Sequence, residues 1–300
     1  MPVSEKNTQL ALVETAPKRR LARLLTFKNA LRLPIIIWQA LFFIAPLIFM
    51  VAMSFFIVRN YRMTEAFEMK NWLKMMSRDY FWDSYGLTIG LATLATLVVM
   101  TVAFPAAYTL AFKVSETTRR WAVFFLIIPF FTSYLVRIFS WYVILAESGV
   151  INAMLGYIGI GPFIMLNTKF GTIVGYMTLT LPLVIILQTL SLANIDRSLV
   201  EAAHNLGCRP WRTVFRIVLP LARTGLIIAA VFCFILSFGD FVSPYYLGGS
   251  KPPTLPILIV DTVKSGQQWP RAAVVAVVMM VTLFIVAFGG IAAAYRRRVR

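Results

Sequence analysis

Long apolar runs divide the chain. Six of them exceed about 20 residues, the length that crosses the hydrocarbon core as a helix: Leu33–Val58, Gly86–Phe112, Trp121–Ala146, Phe170–Leu192, Gly225–Leu247 and Ala272–Tyr295. Arg137 and Asp240 are the only charged residues within them. Lipid is therefore the solvent for these segments. Each is predicted to be a helix, because a helix satisfies its own backbone within one span. The predicted fold class is all-α: a polytopic membrane protein with six transmembrane helices. The connection 193–224 is longer than the few residues of a simple helix–helix turn.

Composition agrees with this pattern. Apolar residues make up 59% of the chain and charged residues 14%, against about a quarter charged in soluble domains. Disorder is excluded, because it requires low hydrophobicity. The net charge of +17 would suggest nucleic acid in a soluble protein. Its distribution gives another reading. Nineteen of the 29 Lys and Arg fall in 1–32, 113–120, 193–224 and 296–300, nine fall in the other connections, and Arg137 is the remaining one. By the positive-inside rule both termini are cytoplasmic, N-in and C-in. The charge is an orientation signal and implies a lipid bilayer as partner, with no nucleic acid.

The organisation follows: a basic cytoplasmic tail at 1–32, one six-helix membrane domain at 33–295 and a basic tail at 296–300. In Pro17–Arg32, four leucines (Leu21, Leu24, Leu25 and Leu31) can share a helix face. This stretch is either a basic amphipathic helix on the anionic inner leaflet or a plain topology anchor. The connection Arg59–Tyr85 contains Trp72, Tyr80, Phe81 and Trp82, which suit short interfacial helices. Cys208 and Cys233 form no CxxC pair, and His204 is the only histidine. No metal site and no cofactor are expected in this chain.

The segment 196–220 has its own helix punctuation. Ser198 and Glu201 stand at capping-box spacing, which predicts a helix opening at Ser198. Leu199, Ala203 and Leu206 recur at helical spacing. Gly207 suits the left-handed residue that ends such a helix. Pro210 can open a second short helix, which carries Arg209, Arg212 and Arg216 along it. Periodicity alone leaves two readings: a protein-docking element, or a helix pair lying flat on lipid.

The residues decide for docking. Glu201-Ala202-Ala203, three residues, Gly207, nine residues and then Ile217-x-Leu219-Pro220 resembles the EAA loop of ABC importer permeases at every fixed position. The resemblance implies that the first short helix is a coupling helix, seated in a cleft of a separate ATP-hydrolysing subunit. Ala202 and Ala203 keep that helix thin, and Glu201 can meet a cation of the partner. A rigid element between two spans transmits a rigid-body displacement. The chain has no GxxxxGK[ST] phosphate loop, so ATP would be bound by the partner.

A charge at mid-bilayer costs roughly 2.5–3.5 kcal/mol on insertion scales and by default marks a pathway or a buried partner. Arg137 is either structural, paired or bound to carbonyls of Pro-broken backbone, or part of a path. Asp240 either pairs with Arg137 or a partner subunit, or contacts a cationic solute. Trp141, Tyr245 and Tyr246 offer faces for cation–π contact or act as packing anchors. The run Pro129-Phe-x-Thr-Ser-x-Leu-Val-Arg137-x-x-x-Trp141, followed by Gly149-x-x-Asn152, resembles the third span of spermidine/putrescine-type permeases. Gly239-Asp-Phe-Val-x-Pro-x-x-Leu-Gly-Gly249 resembles their fifth span, and Leu181-Pro182 and Trp269-Pro270 look similar too.

The resemblance covers about residues 33–295. It implies a type I ABC importer permease fold. It also implies a second, homologous permease subunit, ABC ATPase subunits and a periplasmic solute-binding protein. The chain would be a transport subunit of a bacterial inner membrane with no covalent chemistry of its own. Polyamine is the implied solute class; opines, ferric iron and phosphonates are the alternatives within the family. An ion-coupled secondary transporter using Asp240 is the competing class, and it leaves the EAA loop unexplained. Reporter fusions at positions 115, 205 and 300 are expected to read cytoplasmic and one at 158 periplasmic; any reversal breaks the assigned topology.

Overall fold

The structure is a computed structural model that describes residues 27–59 and 62–295. Most of Pro17–Arg32 and the whole C-terminal basic tail lie outside the described residues, so the amphipathic-helix reading of the N-tail is not addressed. The described residues divide into two units, the first ending at Met53 and the second beginning at Ser54.

In the first unit the chain is helical from Phe27. α1 (Phe27–Gln39) passes through a π-helical turn, Ala40–Ile44, into α2 (Ala45–Met53). The apolar portion is Arg32–Met53, and none of its side chains is buried within the structure. Trp38 and Phe42, one turn apart, pack with ring centroids 4.2 Å apart.

The second unit opens with a small antiparallel hairpin, β1 (Ile57–Arg59) and β2 (Arg62–Thr64). Sequence periodicity did not indicate it. α3 (Lys70–Met76) is the short helix expected in that connection. Asn71 donates from Nδ2 to Phe56 O at 2.6 Å, which fixes α3 to the hairpin's entry strand.

The helical framework is α4 (Asp79–Tyr108, with a π-helical turn Thr109–Lys113), α8 (Lys169–Ala193), α11 (Leu219–Gly239) and α14 (Trp269–Tyr295). α4, α8 and α11 pack on one another, and α14 packs on α11. The buried face of α4 reads Thr88, Ala92, Ala95, Val99, Ala103 and Ala107, each with no exposed area. Those residues recur every three or four positions, so they form one stripe of small side chains. Helices in lipid associate through such close contacts, because lipid tails are as apolar as leucine. Gly225 of α11 shows how close the approach is. A Cβ there would lie 2.4 Å from the Cβ of Ser191 on α8.

Three segments differ from the expected spans. The predicted third span, Trp121–Ala146, is broken. α5 (Glu116–Ile127) ends in a 3₁₀ turn at Ile128–Phe131, and α6 (Tyr134–Leu145) starts afresh, followed by α7 (Val150–Tyr157). Pro129 has no N–H to continue the helix, and Thr132 is extended at φ −95°, ψ 146°. The run Tyr134–Tyr157 is the third stretch long and apolar enough to cross a membrane.

The predicted fifth span, Gly225–Leu247, is shifted. The helix runs from Pro210 to Gly239, and Asp240 ends it in an extended conformation. α12 (Val242–Tyr246) follows as a separate turn of helix, then α13 (Leu255–Lys264).

The expected second short helix of the 196–220 segment does not stand alone. α10 (Pro210–Thr213) continues through a π-helical turn, Val214–Val218, straight into α11. Within that segment, α9 (Arg197–Asn205) is the free-standing short helix.

Replacing Gly225 by leucine forces its side chain into Ser191. Overpacking of this kind costs about 1–3 kcal/mol. The expected result for Gly225→Leu is a lowered thermal midpoint in detergent, while Gly86→Leu, which meets open space, leaves it near wild type.

Candidate functional site

Two clusters carry the candidate chemistry. One is α9 and its surroundings. Its N-cap is Asp196, whose Oδ1 accepts from the Ser198 N–H at 2.9 Å. This corrects the predicted Ser198–Glu201 capping box: the helix opens two residues earlier, and Ser198 lies inside its first turn. The Ser198 N–H holds the Asp196 carboxyl below the usual carboxylate range. A depressed folded-state pKa means that the cap contributes at neutral pH and is lost as pH falls through that value.

The C-terminus is a Schellman motif. Cys208 N donates to Ala203 O at 3.0 Å and Gly207 N to His204 O at 2.9 Å. Gly207 takes φ +77°, the left-handed conformation that a side chain resists.

Several contacts hold α9 in place. Ala203 is buried, and Val200 packs on the cluster of Ala107, Ala111, Leu192 and Val218. Arg197 donates from Nη2 to Ala111 O at 3.0 Å, at the C-terminal end of α4. A cation there complements the negative end of the helix. The opposite face of α9 is free. Glu201 and Ala202 are exposed, as is Leu206. Beside Glu201 lies a cavity of about 260 Å³ that Lys113, Arg197 and Asn205 also border. Of the apolar residues at helical spacing, Ala203 is buried while Leu199 and Leu206 are exposed. Ile217 and Leu219 are half-buried and Pro220 is exposed, where the π-helical turn meets α11.

The second cluster lies within the membrane segments. Asp240 is 7% exposed. Its Oδ1 accepts from Val242 N at 2.9 Å, and its Oδ2 accepts from Tyr134 Oη at 2.6 Å, Ser243 N at 3.3 Å and the Ser243 hydroxyl. The carboxylate thereby caps α12 and ties it to α6. It forms no ion pair with Arg137; among the described residues the one side-chain ion pair is Arg120–Glu116.

Arg137 is compensated differently. It donates from Nη1 to Thr178 O at 3.2 Å, and its Cζ lies 5.6 Å from the Tyr134 ring centroid. The Thr178 carbonyl is available for a sequence reason. Its helical partner would be the N–H of residue 182, and that residue is Pro182. Arg137 is thus bound to a carbonyl of Pro-broken backbone, one of the two structural readings above. Tyr134 joins both charges, with its ring under one and its hydroxyl on the other.

Trp141 follows Arg137 by one turn on α6 and is half-buried. Tyr245 is exposed on α12 and stacks on Phe241 at 5.0 Å. Tyr246 meets Phe139 of α6 at 4.9 Å. The sequence reading missed Asp196, Arg197, Tyr134 and Ser243. Asp196 was visible as an N-cap residue type before the apolar stripe, and Ser243 lies three residues from Asp240; Arg197 and Tyr134 act across long chain separations.

Residues 100–300 match the family described as "Binding-protein-dependent transport system inner membrane component", and the chain belongs to that family. It is a multi-pass inner-membrane transport permease. Among curated relatives, the spermidine/putrescine transport system permease protein PotB of Haemophilus influenzae is 28% identical over 262 residues, covering 84% of this chain and 88% of that protein. PotB of Escherichia coli K12 is 26% identical over 249 residues, 82% of this chain and 90% of that one. A chain from the crystal structure of a bacterial ABC transporter involved in import of the acidic polysaccharide alginate superposes with a TM-score of 0.71 at 18% identity, covering 95% of this chain and all of that one. The fold is that of ABC importer permeases.

Removing the Tyr134 hydroxyl leaves Asp240 one donor short. Hydrogen bonds to charged groups contribute about 1.5–3 kcal/mol. Tyr134→Phe is expected to lower unfolding stability in lipid nanodiscs by that amount, and an unchanged midpoint would show that the bond contributes nothing.

Proposed function

We propose that this chain is the membrane-spanning subunit of an ATP-driven polyamine importer, and that α9 is the element through which a separate ATPase subunit drives it. The single observation that carries the coupling role is the two-sided character of α9. One side is locked to the membrane helices by Ala203, Val200 and Arg197. The other presents Glu201, Ala202 and Leu206 to the surroundings. A displacement applied to the exposed side reaches α4, α8 and α11 as a rigid-body motion, because caps at both ends keep the helix from unwinding. Glu201-Ala202-Ala203, Gly207 and Ile217-x-Leu219-Pro220 form the coupling loop in this reading.

The rest of the assembly follows from this role. A second, homologous permease completes the membrane path, ABC ATPase subunits bind the ATP and a periplasmic solute-binding protein delivers the solute. This chain performs no covalent chemistry and needs no cofactor of its own. The PotB relatives support polyamine as the solute class. Asp240, Arg137, Trp141 and Tyr245 are assigned to the translocation path, with Asp240 exchanging its Tyr134 contact for a cationic amine as the path opens.

Glu201→Arg is expected to insert normally and to abolish spermidine uptake while the ATPase continues to hydrolyse ATP; full uptake would refute the docking role. Asp240→Asn at an unchanged protein level is expected to reduce uptake of a cationic solute, and unaltered kinetics would remove Asp240 from the path.

A further inference from the structure

A groove of about 680 Å³ runs between α4 and the α10–α11 segment, with Gln188 of α8 behind it. On α4 its wall is Leu97, Thr101, Phe104 and Tyr108, which recur at helical spacing. The facing wall is Trp211, Phe215 and Leu219, again one helical face. Both walls reach π-helical turns, Thr109–Lys113 on α4 and Val214–Val218 before α11. The wall from Leu97 to Tyr108 is about 16 Å long at a rise of about 1.5 Å per residue. That is one leaflet of a hydrocarbon core about 30 Å thick.

At membrane depth the lining offers nothing to a polar solute. Thr101 Oγ1 donates to Leu97 O at 2.7 Å, and Thr109 Oγ1 donates to Pro105 O at 2.8 Å. Gln188 is fully buried and donates from Nε2 to Met100 O at 3.2 Å. Its carbonyl oxygen is buried as well. No acidic residue lines the groove, so a cationic amine finds no counter-charge there. Leu97, Trp211 and Phe215 are more than half exposed, so the groove is open at the depth of lipid acyl chains.

Its chemistry changes at the cytoplasmic end. Tyr108, Lys113 and His204 border both the groove and the polar cavity of about 260 Å³ beside Glu201. Arg197 borders that cavity too, and Arg209 and Arg212 flank Pro210 and Trp211 of the apolar wall. Cations therefore outnumber the single carboxylate at this end. Lys113 takes part in no ion pair among the described residues. Tyrosine and tryptophan are enriched where hydrocarbon meets headgroups, so Tyr108 and Trp211 mark that level. A surface that is apolar at acyl depth and cationic at headgroup depth matches an anionic amphiphile. A helix of a second subunit would fill the apolar part and leave the cationic end unanswered.

We propose that this groove is a binding site for an anionic diacyl phospholipid of the cytoplasmic leaflet, with one acyl chain between α4 and α11 and its phosphate at Lys113. The site depends on the membrane fold and its orientation, and not on the solute or on α9 as the coupling element.

The test uses the transporter in nanodiscs of phosphatidylcholine with a minor share of phosphatidylglycerol. Photoreactive benzoylphenylalanine replaces Leu97 in the groove or, as a control for bulk lipid, Phe288 on the exposed face of α14. After irradiation, the mass of the subunit identifies what was captured. The expected product at position 97 is an adduct of one phosphatidylglycerol, enriched over its share of the bilayer, with no enrichment at position 288. Lys113→Gln is expected to lower that enrichment about fivefold, the effect of one cation near a membrane surface. Thr101→Trp, which fills the groove, is expected to remove the adduct. The proposal is overturned by equal phosphatidylglycerol labelling at 97 and 288, or by enrichment that survives either variant. A crosslink from position 97 to a second polypeptide without a lipid adduct also overturns it, and makes the groove a subunit interface.

Discussion

Close approach of helices through small side chains is the constraint on which this structure depends. In water, large apolar residues drive helices together by leaving solvent. In lipid that gain vanishes, and contact area at short range must replace it. The Ala92–Ala107 face of α4 provides such contact along most of the helix. Gly225 against Ser191 does the same between α11 and α8. Large apolar residues such as Phe124, Phe125, Phe284 and Phe288 lie on the exposed faces instead. From Ala92 to Ala107 the buried side of α4 is thus small, while Phe81, Tyr176 and Phe238 are large side chains fully buried elsewhere.

Close packing also brings polar groups within reach of helix ends and breaks. Arg197 reaches Ala111 O, Arg223 reaches Ala293 O at 2.7 Å and Arg137 reaches Thr178 O. The first two sit near helix C-termini, where carbonyls lack partners and cations are favoured. The third uses a carbonyl that Pro182 left open. Part of the positive charge in the chain thus closes helix ends, in addition to orienting the protein in the membrane. Asp240 does the corresponding work for an N-terminus by capping α12. The same bonds connect elements far apart in the chain, so a shift of α9 is felt by α4.

In the proposed function, the link from structure to transport passes through that connection. α9 is short, capped at both ends and anchored on one side, while Glu201 and Ala202 remain outside. The π-helical turn Val214–Val218 sits between α10 and α11, where in the proposed coupling a displacement of α9 would enter the long helix. π-helical turns recur at functional sites. At the other end of α11, Asp240 breaks the helix and joins α12 to Tyr134. Both ends of this helix therefore carry the irregularities that a moving element requires.

Much of this was legible in the residues themselves. Span number, helical class and orientation follow from apolar length and Lys/Arg position, because a bilayer imposes one thickness and one charge asymmetry. The helix stop at Gly207 was readable because it is local. The EAA pattern was readable too, and the family match over residues 100–300 agrees with the family it implied. The break at Pro129 and the end of the fifth helix at Asp240 were misplaced, because hydropathy does not register a helix interruption whose flanks stay apolar. Only the tertiary structure decided that Tyr134 joins Asp240 to Arg137 and that Arg197 reaches the Ala111 carbonyl. Sequence patterns record what a residue does to its own segment. The pairing of a carboxylate at 240 with a hydroxyl at 134 is set by how α6 and α12 pack, and no local rule contains that distance.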